Sequence, residues 1–404
     1  MGALTQTSPG QPERARTLSR MMGAGADARG ETMVQRLSEA VPIERCEVSA
    51  YEVPTDAQEA DGTIEWDSTT LVVVELTAGG TRGLGYTYAD ASAASLIRCS
   101  LIRALEGHDV MDVPARMRSL LRQVRNKGRP GLVAMALSAV DVALWDTKAR
   151  LLDVPLVRLL GASRDAAPVY GSGGFTSYSI ERLQAQLAGW VEQGIPRVKM
   201  KVGSHPEEDP ARVEAARRAI GPRAELFVDG NGAYTVPQAL LLAERFVAHG
   251  VSWFEEPVSS DDLEGLHRLR ARVPAGMAVA AGEYGDSGLY FRRMLEAGAV
   301  DVLQADATRC LGISGFLQAD ALCDAFGVPL SAHCAPALHA HVACAARRLV
   351  HIEYFHDHAR LERMLFDGVA SVRHGTLAPD LSRPGLGLEL KRADAARYEV
   401  GAPS

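Results

Sequence analysis

Cysteine is scarce in this chain. Its six cysteines, Cys46, Cys99, Cys310, Cys323, Cys334 and Cys344, form no CxxC pair and no regular metal spacing. That excludes a disulfide scaffold and a zinc ribbon, and reduced thiols in a cytoplasmic protein are expected. Long hydrophobic runs are missing too. No charge-free apolar stretch reaches the ~18 residues that a bilayer span needs, so no membrane partner is expected. The amino terminus has no apolar h-region, which argues against a secretory signal. A basic excess is also absent: 43 Lys and Arg stand against 50 Asp and Glu, for a net charge of −7. Nucleic acid is therefore not an expected partner.

What the chain does have is core material, with 47% hydrophobic residues over 404 positions. That length suits one large and one smaller domain. Residues 1–42 stand apart. The stretch MGALTQTSPGQPERARTLSRMMGAGADARG mixes Gly, Pro, Ser, Thr and Arg without apolar periodicity and reads as a flexible extension. Its arginines suit an organelle transit peptide, but Asp27 and the glutamates do not.

From residue 43 the grammar changes. IERCEVSAYEV, STTLVVVELTAGG and GLGYTY read as strands. The polar segment between the first two, PTDAQEADGTIEWD, reads as a loop. Helical patterns follow over 90–107, 113–125 and 131–151, the last apolar on most faces and hence buried. Residues 43–160 are thus expected to form an α+β capping domain. Beyond Pro155, strand and helix alternate strictly. Eight strand-like runs lie at 167–172, 197–203, 224–230, 252–258, 277–283, 301–306, 329–333 and 349–355, with amphipathic segments between them. Eight parallel strands with helical crossovers predict an α/β fold, a (β/α)7β TIM-like barrel over 161–365. The helix after the eighth strand is expected to be short or irregular. Residues 366–404 are strand-like and turn-rich and are expected to pack back on the cap.

Seven polar residues mark the run ends: Lys201, Asp229, Glu255, Glu283, Asp306, His333 and Glu353. They are separated by 20 to 28 residues. A barrel spends roughly 250 residues on eight strand–helix units, so the interval is about one unit and the seven converge on one rim. Strand residues alternate faces, which sets Lys199 and Lys201 on one side. Two neighbouring ammonium groups lower each other's pKa, making a neutral amine base accessible. Asp229, Glu255 and Glu283 end consecutive strands, and three converging carboxylates need a cation between them. All-oxygen ligation points to Mg²⁺, with Mn²⁺ as the alternative. Asn231 shares a face with Asp229 and is a candidate ligand contact, whereas Glu256 points away. Asp306 and His333 end adjacent strands, so the carboxylate can orient the imidazole for acid/base work. Without a GxSxG turn, acyl transfer is not suggested. Glu353 is placed to share a proton with a substrate carboxylate. His339, His341, His351, His356 and His358 receive no role, though the first two are expected at the start of a helix.

These residues resemble the enolase superfamily, and within it the mandelate racemase subgroup. VKMKVG resembles the family's KxK strand. VDGNGAY, WFEEPV and AAGE resemble its metal-ligand strands, QADATRCLGISGF and SAHCAPALH its Asp–His strands, and HIEYF its final acid. The likeness runs from about 43 to about 390 and takes in ALSAVDVALWDTKARLLDVPLVRLLG. Muconate-lactonising relatives carry a lysine where this chain has Asp306. The loop Arg309-Cys310-Leu311-Gly312 departs from the Lys and Gly-Gly pattern the family often shows, which makes Arg309 a candidate substrate contact. The resemblance implies Mg²⁺-dependent abstraction of the proton alpha to a carboxylate, giving an enediolate. Lys201 and His333 would approach opposite faces of the α-carbon, Lys199 would supply charge, and protonated Glu353 a hydrogen bond.

Two opposed bases serve either dehydration or racemisation. Specificity in this subgroup resides in first-domain loops, here 54–67 and 85–90. Asp56, Glu59, Asp61, Glu65, Trp66, Tyr86 and Tyr88 make them polar, and Tyr86 and Tyr88 are candidate substrate contacts. The expectation is a lyase, an acid-sugar dehydratase forming a 2-keto-3-deoxy acid and working as a homo-oligomer. A racemase or epimerase of a 2-hydroxy acid is the alternative, and a non-catalytic metal-dependent binding protein is the alternative of another class. A metal-dependent hydrolase would want histidines near Tyr170-Gly171-Ser172.

Overall fold

The computed structural model describes residues 39–401 together with Gly2. The extension expected over 1–42 therefore lies almost wholly outside the described residues. Three antiparallel strands open the described chain: β1 (Ile43–Ala60), β2 (Glu65–Ala78) and β3 (Thr81–Tyr88). Val48 sits opposite Val74, and Val74 opposite Gly85. Helix α1 (Ser92–Leu96) runs on through one π turn and one 3₁₀ turn and is followed by α2 (Val113–Gln123), α3 (Leu132–Leu151) and α4 (Leu156–Leu160). Helix α3 is buried on nearly every face and lies against the sheet. Two glycines permit that approach. A Cβ on Gly83 would meet Thr147 Oγ1 at 2.1 Å, and one on Gly85 would meet the Ala139 carbonyl at 2.2 Å.

The segment 54–67, expected as a loop, is an extended arm instead. Strand β1 continues to Ala60 and β2 restarts at Glu65, with a register break between Pro54 and Glu59. Pro54 cannot donate to the ladder, which suits it to such an irregularity. The arm looks loop-like in sequence because most of its side chains are polar; only Ala57 and Trp66 pack on the apolar cluster of Phe175, Tyr178 and Phe355, and backbone hydrogen bonds add to the docking. Ala60 O accepts from Thr176 N at 2.8 Å, and Asp61 O accepts from Ser204 Oγ at 2.6 Å.

The barrel strands are β4 (Ala167–Gly173), β5 (Arg197–Lys201), β6 (Glu225–Asp229), β7 (Val251–Glu255), β8 (Ala278–Ala281), β9 (Val302–Ala305), β10 (Leu330–Ala332) and β11 (Leu349–Phe355). Each pairs in parallel with the next, and β11 pairs with β4 to close the ring. The crossovers are α5 (Ile180–Glu192), α6 (Asp209–Ile220), α7 (Val236–Val247), α8 (Leu263–Arg270), α9 (Gly288–Glu296), α10 (Gly312–Phe326) and α11 (Pro336–Ala345). His339 and His341 both lie on α11. Strand β11 leads directly into a regular helix, α12 (His356–Leu365), where a short or irregular one was expected. Its many charged residues disguised a face that buries Ala359, Leu361 and Leu365. Inside the ring, Tyr170, Phe227 and Trp253 form an aromatic layer below the rim, with His351 packed on it.

Cap and barrel are joined through buried carboxylates. Asp141 on α3 accepts from Ser314 N and Oγ at the start of α10. Asp146 accepts from Leu84 N, from Leu386 N and from Arg150 Nε. The last stretch, 366–401, contains β12 (Phe366–Asp367), β13 (Thr376–Leu377), β14 (Glu389–Leu390) and α13 (Arg392–Ala395). Strand β13 pairs with β4, and the last described residues lie against β1, where Val400 N donates to Ala50 O. Among the described residues no helix is long and apolar enough to cross a membrane.

Candidate active site

The rim at the carboxyl ends of the strands carries the polar residues singled out by spacing. Lys201, Asp229 and Glu255 are the last residues of β5, β6 and β7 and stand in register. Glu283, Asp306 and His333 lie one or two residues beyond β8, β9 and β10, and Glu353 sits just inside β11. All seven are buried. The parallel register does this: neighbouring strands run the same way round the ring and bring their carboxyl ends to one rim, so residues 20 to 28 apart in sequence meet.

Asp229, Glu255 and Glu283 each present a carboxylate oxygen, and these atoms lie within 4.8 Å of one another. Glu283 Oε2 and Asn231 Oδ1 are buried without a hydrogen-bond partner. Backbone strain marks the same place, with Asn231 at φ 45° and Glu256 at φ 37°. Glu256 is itself buried, and its Oε1 also lacks a partner. Orphaned oxygens beside a carboxylate triad fit a hard divalent cation, and Asp229, Glu255 and Glu283 are the residues that would hold it.

The two lysines are surrounded by carboxylates. Lys199 Nζ contacts Glu255, Asp229 Oδ2 at 3.1 Å and Glu353 Oε1 at 2.8 Å. Lys201 Nζ donates to Asp229 Oδ2 at 2.6 Å. Burial works to lower both pKa values, and the two ammonium groups also repel, but the carboxylates outweigh these effects and hold both above the usual lysine value. The neutral amine inferred from lysine–lysine repulsion is thus corrected: each ammonium is matched by acids as well as opposed by its neighbour. Burial would raise Asp229, yet Lys201 and Lys199 hold it low. Glu255 goes up, through burial and the charge of Asp229.

His333 Nδ1 lies 2.8 Å from Asp306 Oδ2. Burial opposes ionisation of Asp306, but its bond with His333 and the charges of His333 and Arg309 keep it below the usual range. Its other oxygen accepts from Thr308 N and Oγ1, both at 2.7 Å. An ionised acceptor on Nδ1 puts the proton of the neutral ring there and leaves the Nε2 lone pair facing the site. Nε2 lies 3.4 Å from Glu283 Oε2 and 3.3 Å from Cys334 Sγ.

Glu353, expected to act as a protonated acid, is surrounded by cationic groups. Burial would raise it, but Lys199, His333 and Lys201 hold it well below the ordinary value. Ser172 Oγ donates to its Oε1 at 2.5 Å and Cys334 N to its Oε2 at 3.2 Å.

A cavity of about 370 Å³ lies between this rim and the cap. Lys201, Asn231, Glu283, Arg309, His333, Glu353 and Tyr88 line it. Arg309 Nη1 reaches Glu283 Oε1 at 3.4 Å, and its Nε lies 3.8 Å from Asp306 Oδ2. Tyr86 is not brought to the cavity. It is fully buried, with its hydroxyl donating to Glu362 Oε1 at 2.6 Å and accepting from Leu338 N at 3.2 Å. Strand alternation sets Tyr86 and Tyr88 on one face, but Tyr86 is packed between Glu362 and Leu338, and Tyr88 at the strand's end is the one that reaches the cavity. Trp66, named in the specificity loop, does line the cavity, whereas sequence reasoning gave no site role to Ser172, Cys334 or His358. Ser172 and Cys334 sit at strand ends like the others, which was the available signal. His358 lies on α12, and nothing local announces it.

The chain matches two family models. Residues 46–161 match the mandelate racemase / muconate lactonizing enzyme N-terminal domain, and residues 182–395 match the enolase C-terminal domain-like family. It is 33% identical over 67% of its length to D-galactarolactone cycloisomerase of Agrobacterium fabrum, covering 72% of that protein. It is 30% identical over 79% of its length to L-talarate/galactarate dehydratase of Salmonella typhimurium, covering 80% of it. A mandelate racemase/muconate lactonizing enzyme-like protein from Rubrobacter xylanophilus superposes with a TM-score of 0.87 at 56% identity, over 89% of this chain and 100% of that one. Its curated relatives are acid-sugar dehydratases and cycloisomerases. The chain belongs to the mandelate racemase/muconate lactonizing enzyme family of the enolase superfamily.

Proposed function

We propose that this protein is a Mg²⁺-dependent acid-sugar dehydratase that removes the proton alpha to a carboxylate and expels a β-hydroxyl. One observation carries the reading: Lys201 ends β5, next to the triad's strands on one side, and Asp306 and the His333 it orients follow β9 and β10 on the other. A binding protein has no use for two opposed bases. The Salmonella dehydratase has been crystallised with Mg, which supports the choice of ion. A cation held by Asp229, Glu255 and Glu283 supplies positive charge where the substrate carboxylate becomes electron-rich.

The chain's own residues do the rest. Lys199, fixed among Glu255, Asp229 and Glu353, keeps its positive charge beside the substrate carboxylate. One of Lys201 and His333 takes the α-proton as the C–H bond breaks. The other donates a proton to the β-hydroxyl, the C–O bond breaks, and water leaves. The resulting enol tautomerises to a 2-keto-3-deoxy acid. Microscopic fit requires the base deprotonated and the acid protonated before each turnover, and His333 Nε2 is arranged for either part. Displacement of Lys201 from Asp229 is the step that frees its amine.

Cycloisomerisation is the second reading, favoured by the identity to D-galactarolactone cycloisomerase. It shares the proton chemistry but loses no water. The test is to incubate the protein with Mg²⁺ and a panel of sugar acids in D₂O, following keto-acid formation and α-deuterium. Keto-deoxy product from wild type, abolished in Lys201→Met and His333→Asn with Mg²⁺ binding retained, is the expected result. An isomer of unchanged mass would move the reading to cycloisomerisation. Neither product nor exchange with any acid would overturn it.

A further inference from the structure

The cavity has two unlike walls. The barrel side carries its cations: Lys201, Arg309 and, when protonated, His333. The cap side carries Asp61, Trp66, the hydroxyls of Thr69 and Thr70, and Asp90. Among the described residues, no cation on that side lines the cavity. Arg309, the one guanidinium on the wall, is drawn toward the floor by Glu283 and Asp306. Asp90 is exposed and its carboxyl is held below the ordinary value by bonds from Ser92, so it stays ionised.

His358 completes the wall next to the cap. Its Nδ1 accepts the Ala335 N–H at 3.3 Å, so the proton of the neutral ring is on Nε2. Burial pushes its pKa down to about 3, which keeps the ring neutral near pH 7. The ring stacks on Tyr88 with centroids 3.4 Å apart and planes 8° from parallel. Tyr88 Oη reaches the His358 carbonyl at 3.5 Å. The imidazole is thus locked in one tautomer and one orientation, as a neutral donor at the edge of the cavity. Among the described residues it shares no hydrogen bond with the metal triad or the acid/base pair.

We propose that the substrate is a monocarboxylic sugar acid, of aldonate rather than aldarate type, and that His358 donates a hydrogen bond to a hydroxyl of its uncharged tail. This rests on the dehydratase reading and narrows it. With the reacting carboxylate at the barrel floor, the tail must face the cap. A second carboxylate there would meet Asp61 and Asp90 without a partner, and a desolvated charge left unpaired is strongly unfavourable. Hydroxyls would meet Thr69, Thr70 and the neutral Nε2–H of His358, all suited to them.

The experiment compares matched pairs, gluconate with glucarate and galactonate with galactarate, on the Mg²⁺-loaded enzyme. It reads keto-acid formation, α-proton exchange and calorimetric binding to the inactive Lys201→Met protein. We expect kcat/KM and binding to favour the aldonate by more than about tenfold in at least one pair, the scale of one well-made or one unpaired polar contact. His358→Asn keeps an acceptor for the Ala335 amide but removes the Nε2 donor. It should lower kcat/KM for the aldonate by about tenfold through KM, with the fold intact by circular dichroism. His358→Gln, which restores a donor near the Nε2 position, should recover part of that loss. Preference for the aldarate would overturn the proposal and leave the dehydratase reading standing. It would place the second carboxylate toward the adjoining cavity of about 490 Å³, which shares Arg309 and Tyr284 and carries Arg129 and Arg293. An unchanged KM in His358→Asn would remove His358 from the proposal. No product and no exchange with either member of any pair would sink the dehydratase reading itself.

Discussion

Asp306 Oδ2 meets His333 Nδ1 at 2.8 Å, while Asp306 Oδ1 is taken by Thr308. The carboxylate is therefore fully bonded on both oxygens and fixes the imidazole in one tautomer. Asp306→Asn would present an amide in its place and lose both the charge and the single acceptor geometry. We expect kcat to fall on the order of 10²–10⁴-fold, the range of a general acid/base contribution. Mg²⁺ affinity should change little. Steady-state kinetics beside metal calorimetry checks this; a loss of metal equal to the loss of rate would place Asp306 in the cation site.

Lys199 touches Asp229, Glu255 and Glu353 together. Lys199→Met leaves those buried acids uncompensated. Removing one partner of a buried pair costs about 3–5 kcal/mol, and we expect a loss of that size in Mg²⁺-free urea unfolding. Added Mg²⁺ should return part of it by binding the folded chain. Unchanged stability in chelator would mean that the acids are protonated without Lys199.

Glu59 on the cap arm is buried and bonds through Oε2 to Trp66 Nε1 at 2.9 Å, while its Oε1 has no partner. Burial first, and the charge of Asp357 second, raise its pKa from 4.5 to about 8. Between those values the folded chain keeps a proton that the unfolded chain has released. This group's contribution to stability is therefore present at low pH and is lost as pH rises through the window. The slope is at most about 1.4 kcal/mol per pH unit for one proton. Urea midpoints of wild type and Glu59→Gln, taken from about pH 5 to about pH 8, should converge with falling pH and separate with rising pH. Parallel curves would show that Glu59 is ionised in the fold.

Gly62 seats the arm on the barrel. A Cβ there would stand 2.6 Å from both the Gly230 and the Val202 carbonyl oxygens. Both belong to the loops that present Lys201 and Asp229, so the arm has no room to yield. Gly62→Ala should cost about 1–3 kcal/mol, typical of overpacking, and raise KM by lifting the cap wall from the cavity. Thermal unfolding with substrate titration tests this. A variant with unchanged KM would mean that the arm does not shape the cavity.

Much of this was legible in order along the chain. Lys201, Asp229, Glu255, Glu283, Asp306, His333 and Glu353 could be found because each follows an apolar run, and the barrel repeats that run at near-constant spacing. Strand alternation placed Lys199 beside Lys201 by the same local rule. The arm at 54–67 was misread because its partners are the loops near Thr176 and Ser204, over a hundred residues away. Tyr86 and Tyr88 looked equivalent, but Glu362 and Leu338 claim one hydroxyl while His358 stacks on the other ring.

The sequence alone determined the strand–helix period and the convergence of the carboxylate triad, Lys201 and His333 on one rim, because these rest on local periodicity and side-chain chemistry. Only the tertiary structure decided the surroundings of Lys199, Lys201 and Glu353. Those are set by charges within a few ångströms, contributed from six different strand ends. It alone also set His358 and the cap residues around one cavity, because that proximity exists only once the barrel has closed and the cap has docked upon it.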